Sequence, residues 1–213
     1  MSFLEYLAGN WPEVLDATIA HAVLVLEGLG LAVLIGVPVA VLVYRTDATR
    51  AAVLGGAALL LTIPSYALFG LLIAPLGLGS APSVVALTMY ALLPVLRNTV
   101  VGLREVDPAV VESATGMGMN RLRRLTAVEF PLAWPVVVTG LRVATQILLG
   151  IGAIAAAVNG PGLGNLILDG LAKAGTPFAI YLTIEGVAAI VLLAVLFDAL
   201  FALLNRLTTS RRL

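Results

Sequence analysis

Cysteine is absent from these 213 residues, histidine occurs once, at His21, and lysine once, at Lys173. No disulfide and no thiolate metal site can form, and a lone imidazole cannot gather a metal cluster. The only lysine stands in LAKAGT, so the phosphate loop G-x-x-x-x-G-K-[ST] is missing and nucleotide hydrolysis by that route is excluded. His21 is expected beside a helix start, with no G-x-S-x-G nucleophile pattern to accompany it, and the sequence offers no enzyme. Charge is scarce as well: 11% of residues are Asp, Glu, Lys or Arg, where a soluble domain carries about 25%. Repeats at solenoid periods and low-complexity tracts are also lacking.

Apolar side chains are what the chain has in excess, at 61% of residues. That composition belongs in a bilayer, and the length holds several spans of about 20 residues with little left for a soluble domain. Residues 1–213 are therefore read as a single transmembrane domain. The N-terminus, MSFLEYLAGNWPEVLDATIA, is acidic where a signal peptide needs a basic region, so the first apolar run is a retained helix. Apolar runs at 20–44, 52–74, 82–103, 135–158 and 178–204 predict an all-α integral membrane protein of about five spans.

Charge predicts their direction. Arg45 and Arg50 follow the first run, Arg104, Arg121, Arg123 and Arg124 the third, and Arg206, Arg211 and Arg212 the fifth. The other side offers Lys173 with Glu5, Glu13, Asp16 and Asp169. A basic excess marks the cytoplasmic side, which puts the N-terminus out and the C-terminus in. Residues 1–19 are then an outer segment, 104–131 a cytoplasmic loop and 159–177 an outer loop. In that outer loop, NGPGLGNLILDGLAKAGTP, the glycines lack the strand and spacing of a phosphate site; they turn the chain, and LGNLILDGLAK forms a short amphipathic helix.

ESATGMGMNRLRRLTAVEFP, residues 112–131, is a polar, Arg-rich island between two apolar runs. Asp107 and Pro108 supply an N-cap and a first-turn proline for a short helix, Gly116 and Gly118 permit a turn, and NRLRRLTAVEF makes a second helix stopped by Pro131. Read alone, the loop either anchors topology or presents itself to a soluble partner. Arg121, Arg123 and Arg124 suit acidic partner residues and membrane lipid phosphates equally.

The spacing resembles the cytoplasmic motif of ABC importer permeases, E-A-A, three residues, G, nine residues, I-x-L-P. Here it reads Glu112, Ser113, Ala114, then Gly118, then Val128, Phe130 and Pro131, with Ser for Ala, Val for Ile and Phe for Leu. LLTIPSYALFGLL, YALLPVLRNTVVGL, VDPAVVESATGMGM, EFPLAWPVVVTGLR and GPGLG, within about residues 59–168, make the chain similar to the osmoprotectant branch, permeases for glycine betaine, carnitine or choline. The resemblance implies that the first helix of the motif is a coupling helix seated on an ATP-binding subunit, with Glu112 accepting charge-assisted hydrogen bonds, Ser113 and Ala114 allowing close approach and Gly118 making the turn. It implies two ATP-binding subunits, a second permease subunit, identical or not, and an outer substrate-binding protein on which specificity rests. ATP and Mg are expected on the partner, no cofactor on this chain, and no nucleic acid. The chain ends at Leu213, so no fused binding domain is expected. An ABC permease for another small solute, such as an amino acid, is the nearer alternative. An ion-gradient-driven secondary transporter is the more distant one, because five spans with one loop do not divide into repeated halves.

Ionisable residues inside spans are costly and mark function or pairing. Arg142 and Asp198 each lie about 10 Å in from the cytosolic end of their runs, which predicts a structural ion pair. Glu27 and Glu185, about 10 Å below the outer surface, and Tyr66 and Tyr90, about 12 Å below it, share a layer fit to hold a quaternary ammonium ion. Pro64 and Pro94 are expected to interrupt the second and third spans, freeing the carbonyls of Leu60 and Tyr90. Thr62, Ser65 and Asn98 beside them are candidate path residues, and Arg97 anchors the inner boundary.

Overall fold

The computed structural model describes residues 3–176 and 178–209, and every regular element there is helical. Arg211 and Arg212, which the charge bias uses, lie outside the described residues, as does Pro177 of the predicted outer loop.

Helix α1 runs Phe3–Val43, 41 residues, or about 62 Å at the helical rise, roughly twice the hydrocarbon thickness. The expected span of 20–44 is thus the later part of a longer helix, which residues 3–19 extend toward the N-terminus. Hydropathy misses this stretch because tertiary packing holds it. Val14 is buried with Leu163, Leu166 and Leu182, and the Tyr6 ring stacks on Phe178 at 5.6 Å.

The second run is two helices, α2 at Asp47–Thr62 and α3 at Ser65–Leu76, bent 97° at the break between them. Proline drives its predecessor out of the helical region, and Ile63 is extended at φ −69°, ψ 125°. The polar groups at the break are partly re-satisfied. Ile63 N–H donates to the Leu60 carbonyl at 3.4 Å, and the Tyr90 hydroxyl donates to the Ile63 carbonyl at 2.8 Å. Leu60 is therefore not left free as expected, and the orphan is taken up by a side chain of another helix.

Helix α4, Ser80–Arg104, contains Pro94 and is not interrupted by it. The difference from Pro64 is packing: Tyr90, Ala91 and Val95 around Pro94 are buried in the main core with Leu24, Val25 and Leu29 of α1. α4 packs on α1 and on helix α7, Phe130–Gly152. Gly140 of α7 sets that closeness, since a Cβ there would stand 2.5 Å from Asn98 Cβ.

Between α4 and α7 come α5, Pro108–Gly116, and α6, Arg121–Arg124, followed by a π-helical turn over Leu125–Glu129. Pro131 was expected to stop the second of these helices. It lies instead inside a continuous helical stretch, Arg121 to Val158, two residues after the π-helical turn, where the altered hydrogen-bond register accommodates a residue without an N–H. A short 3-10 turn, Ala153–Val158, ends that stretch. Helix α8, Gly164–Ala172, is the amphipathic helix foreseen after the glycines, with Leu166 buried and Asp169 exposed. Helix α9, Ala179–Thr209, completes the order. Among the described residues, four helices are long and apolar enough to cross a membrane, or five when the bent α2–α3 pair counts as one span. The chain is an all-α integral membrane protein.

Candidate functional site

The segment between α4 and α7 is built by local capping. Asp107 accepts from Ala109 N–H at 2.8 Å, with Pro108 in the first turn of α5. Gly118 adopts φ +79°, a conformation that costs other residues strain, and reverses the chain. Asn120 then caps α6 by accepting from Arg123 N–H at 2.9 Å. Of the motif residues, Glu112, Ser113 and Gly118 are exposed, Val128, Phe130 and Pro131 are half-buried, and Ala114 is buried. Ala114 therefore packs against its own chain, and the surface offered outward is Glu112 with Ser113, flanked by Met117, Leu122, Arg121 and Arg123.

What fixes this segment to the spans is a residue the sequence reading passed over. Glu129, in the π-helical turn, is 2% exposed, and three donors converge on its carboxylate. The Tyr44 hydroxyl donates to Oε2 at 2.7 Å, Arg45 Nη2 to Oε1 at 2.8 Å, and Arg124 Nε to Oε1 at 2.9 Å. Arg124 also donates from Nη1 to Thr115 Oγ1 at 2.7 Å, and Arg45 Nε to the Tyr44 oxygen at 2.6 Å. The network ties the end of α1 to the end of α5 and the start of α7. Burial, then the hydrogen bond to Glu129, pushes the Tyr44 hydroxyl above the usual phenol range, with Arg45 pulling the other way. Above it, Glu112, Arg124, Tyr44 and Val111 line a depression of about 300 Å³. At the same end, Asp47 binds Arg104 at 2.8 Å and Arg50 at 2.7 Å.

Within the spans the expected ion pair forms. Arg142 Nε donates to Asp198 Oδ1 at 2.5 Å and Nη2 to Oδ2 at 2.6 Å, a parallel bidentate contact joining α7 to α9. The expected layer of two carboxylates and two tyrosines does not assemble within one chain. Tyr90 is buried and committed to the Ile63 carbonyl, while Tyr66 and Glu27 are exposed. Glu185 is buried beside Glu13 and Tyr6 at the start of α1, with neither carboxylate oxygen hydrogen-bonded. Near the break, Thr62 is exposed and donates to Leu59 O, Ser65 is half-buried, and Asn98 donates to the Pro94 carbonyl at 2.9 Å; Arg97 is exposed. His21 lies deep in α1 rather than near a helix start, fully buried, with Nε2 3.1 Å from the Leu149 carbonyl. The GPGLG loop wraps it: a Cβ on Gly162 would meet His21 Nδ1 at 2.8 Å.

Comparison with known proteins places this architecture. The fold matches a chain of the MetNI methionine ABC transporter in an inward-facing conformation, TM-score 0.79 over 92% of this chain and 95% of that one at 20% identity. It also matches an amino acid ABC transporter solved with histidines, TM-score 0.77 over 97% and 98% at 19% identity. In sequence, the osmoprotectant import permease protein OsmW of Salmonella typhimurium is 40% identical over 99% of each chain. The choline transport system permease protein OpuBB of Bacillus subtilis is 34% identical, covering 97% of this chain and 93% of its own. The glycine betaine/carnitine/choline permease protein OpuCB of the same organism is 33% identical, covering 99% and 95%. Residues 32–210 match the family described as binding-protein-dependent transport system inner membrane component. A full-length likeness of this kind settles the assignment: the chain belongs to that family, the membrane-spanning permease subunits of ABC importers.

Proposed function

We propose that this permease subunit carries osmoprotectants of the glycine betaine, carnitine and choline class and that α5 is the helix through which a separate ATPase drives it. Likeness over nearly the whole chain to permeases named for those solutes supports the substrate class. The observation that carries the coupling role is the Glu129 network. α5 presents Glu112 and Ser113 outward while the Arg124–Thr115 bond holds its end to a buried carboxylate shared with α1 and the start of α7. A displacement of α5 is thereby passed to two long helices rather than absorbed in a loop.

The segment faces the cytosol on this reading, with the N-terminus out and the C-terminus in. Support comes from the gathering of Arg45, Arg50, Arg104 and Arg124 at one end through their contacts with Asp47 and Glu129, which makes that end the basic one. Residues 1–213 then act as one transmembrane domain in an assembly of two permease subunits, two ATP-binding subunits and an outer substrate-binding protein, working by alternating access. Purification of the tagged chain from its own membrane tests this. Recovery of an ATP-binding subunit, with ATPase activity stimulated by receptor and glycine betaine and competed by choline or carnitine, is the expected result. Stimulation by amino acids instead would move the chain to another solute class, and ATP-independent uptake by the chain alone would overturn the reading.

A further inference from the structure

The Arg142–Asp198 pair forms as depth along the two helices predicts, but the helices do not enclose it. Both side chains are open, 44% and 42% exposed, on the surface of a single chain. Neither can face hydrocarbon: the pair lies about 10 Å inside the apolar part of α7 and α9, and ionised groups at such depth face protein or water. An arginine can stretch toward an interface, but aspartate has a single side-chain methylene, and the bidentate contact holds the guanidinium to it. The pair does not stand alone. Thr139 and Gly150 are exposed and Gln146 half-buried on the same side of α7, at the three- and four-residue spacing that makes one helix face. Gln146 reaches α9 as well, donating to the Ala194 carbonyl at 3.0 Å. Val137, Val138, Ala144 and Leu148, on the rest of α7, are buried.

We propose that the α7 face of Thr139, Arg142 and Gln146, with Asp198 of α9, lines the water-filled solute passage, closed by a second permease subunit, and that the ion pair keeps that stretch of the passage electrically neutral. The inference rests on the permease reading above. Neutrality has a physical use for solutes of this class. A zwitterion such as glycine betaine and a cation such as choline then meet neither a net charge that traps them nor one that repels them. Either charge left alone would discriminate between the two.

This chain has no native cysteine, so label found on it once the subunits are separated reports the introduced residue alone. In the assembled complex in liposomes, Thr139→Cys and Gly150→Cys are expected to react with a charged, water-soluble methanethiosulfonate added to both faces. Leu192→Cys, on an apolar and 70% exposed position of α9, is expected to remain unreactive. Charge is read separately. Arg142→Gln raises choline uptake relative to betaine uptake, and Asp198→Asn lowers it. Each shift is about threefold to tenfold, as expected for one unit charge several ångströms from a solute in a watery medium. The double variant returns the ratio toward that of the unmodified protein, which a merely structural pair would not do. Equal labelling at Thr139→Cys and Leu192→Cys in a complex whose ATPase is still stimulated overturns the passage assignment alone, as does an unchanged uptake ratio in both single variants. A preparation without any ATP-binding subunit overturns the permease reading, and this inference with it.

Discussion

Replacing Glu129 with glutamine keeps the side chain's shape and removes the charge on which Tyr44, Arg45 and Arg124 converge. The carboxylate is 3% exposed and Arg124 12%, so neither has water to fall back on, whereas Arg45 at 36% does. Breaking a buried pair by removing one partner costs about 3–5 kcal/mol. With one of the two cations already part-solvated and an amide still able to accept a hydrogen bond, the expected loss is about 2–3 kcal/mol. For a chain of this length that is a fall in Tm of about 4–12 °C, measured on the purified complex by thermal unfolding in detergent. The second readout separates coupling from stability. At a temperature where Glu129→Gln stays folded, ATP hydrolysed per solute moved is expected to rise, because α5 has lost its tie to α1 and α7, and Glu129→Asp is expected to recover part of the coupling. A Glu129→Gln complex that melts with the unmodified one and couples as tightly would refute the reasoning.

Tyr90→Phe leaves the Ile63 carbonyl at the α2–α3 break without its side-chain donor, and a loss of about 1–3 kcal/mol is expected in the same melting assay. Gly118→Ala imposes a Cβ at φ +79°, a strain of about 1–2 kcal/mol concentrated in the turn after α5, whereas Gly116→Ala, inside a helix with open space around it, is expected to be silent. The pair separates in solute-stimulated ATPase activity, Gly118→Ala being the impaired one.

Long apolar runs made α4, α7 and α9 legible, because burial in lipid demands them whatever the neighbours do. The start of α1 was hidden, since its helicity depends on Tyr6 and Val14 meeting residues more than 140 positions away. Pro64 and Pro94 look alike in sequence; only the packing around Tyr90, Ala91 and Val95 decides that one breaks its helix and the other does not. Depth along a helix is readable, and it paired Arg142 with Asp198. Rotation about the helix axis is not, and so Glu27 and Tyr66 are exposed while Glu185 and Tyr90 are buried in different surroundings. Glu129 was missed for another reason. Its two donors on α1's end are 84 and 85 positions distant, and the visible clue was a single carboxylate in VEFP five residues after an arginine.

The unbroken helical stretch from Arg121 to Val158 has a mechanical meaning. On the proposed coupling role it would act as a lever pivoting at Glu129, where the chain is tied to the end of α1. From the pivot the arm to Arg121 is eight residues and the arm to Arg142 thirteen, about 12 Å and about 20 Å at the helical rise. A rigid tilt then enlarges motion, so that a push of 1 Å at the polar end sweeps the Arg142 side chain through about 1.6 Å in the opposite sense. On that reading the Arg124–Thr115 bond carries the push across the turn at Gly118, and the Arg142–Asp198 contact between α7 and α9 lies where the longer arm would move most.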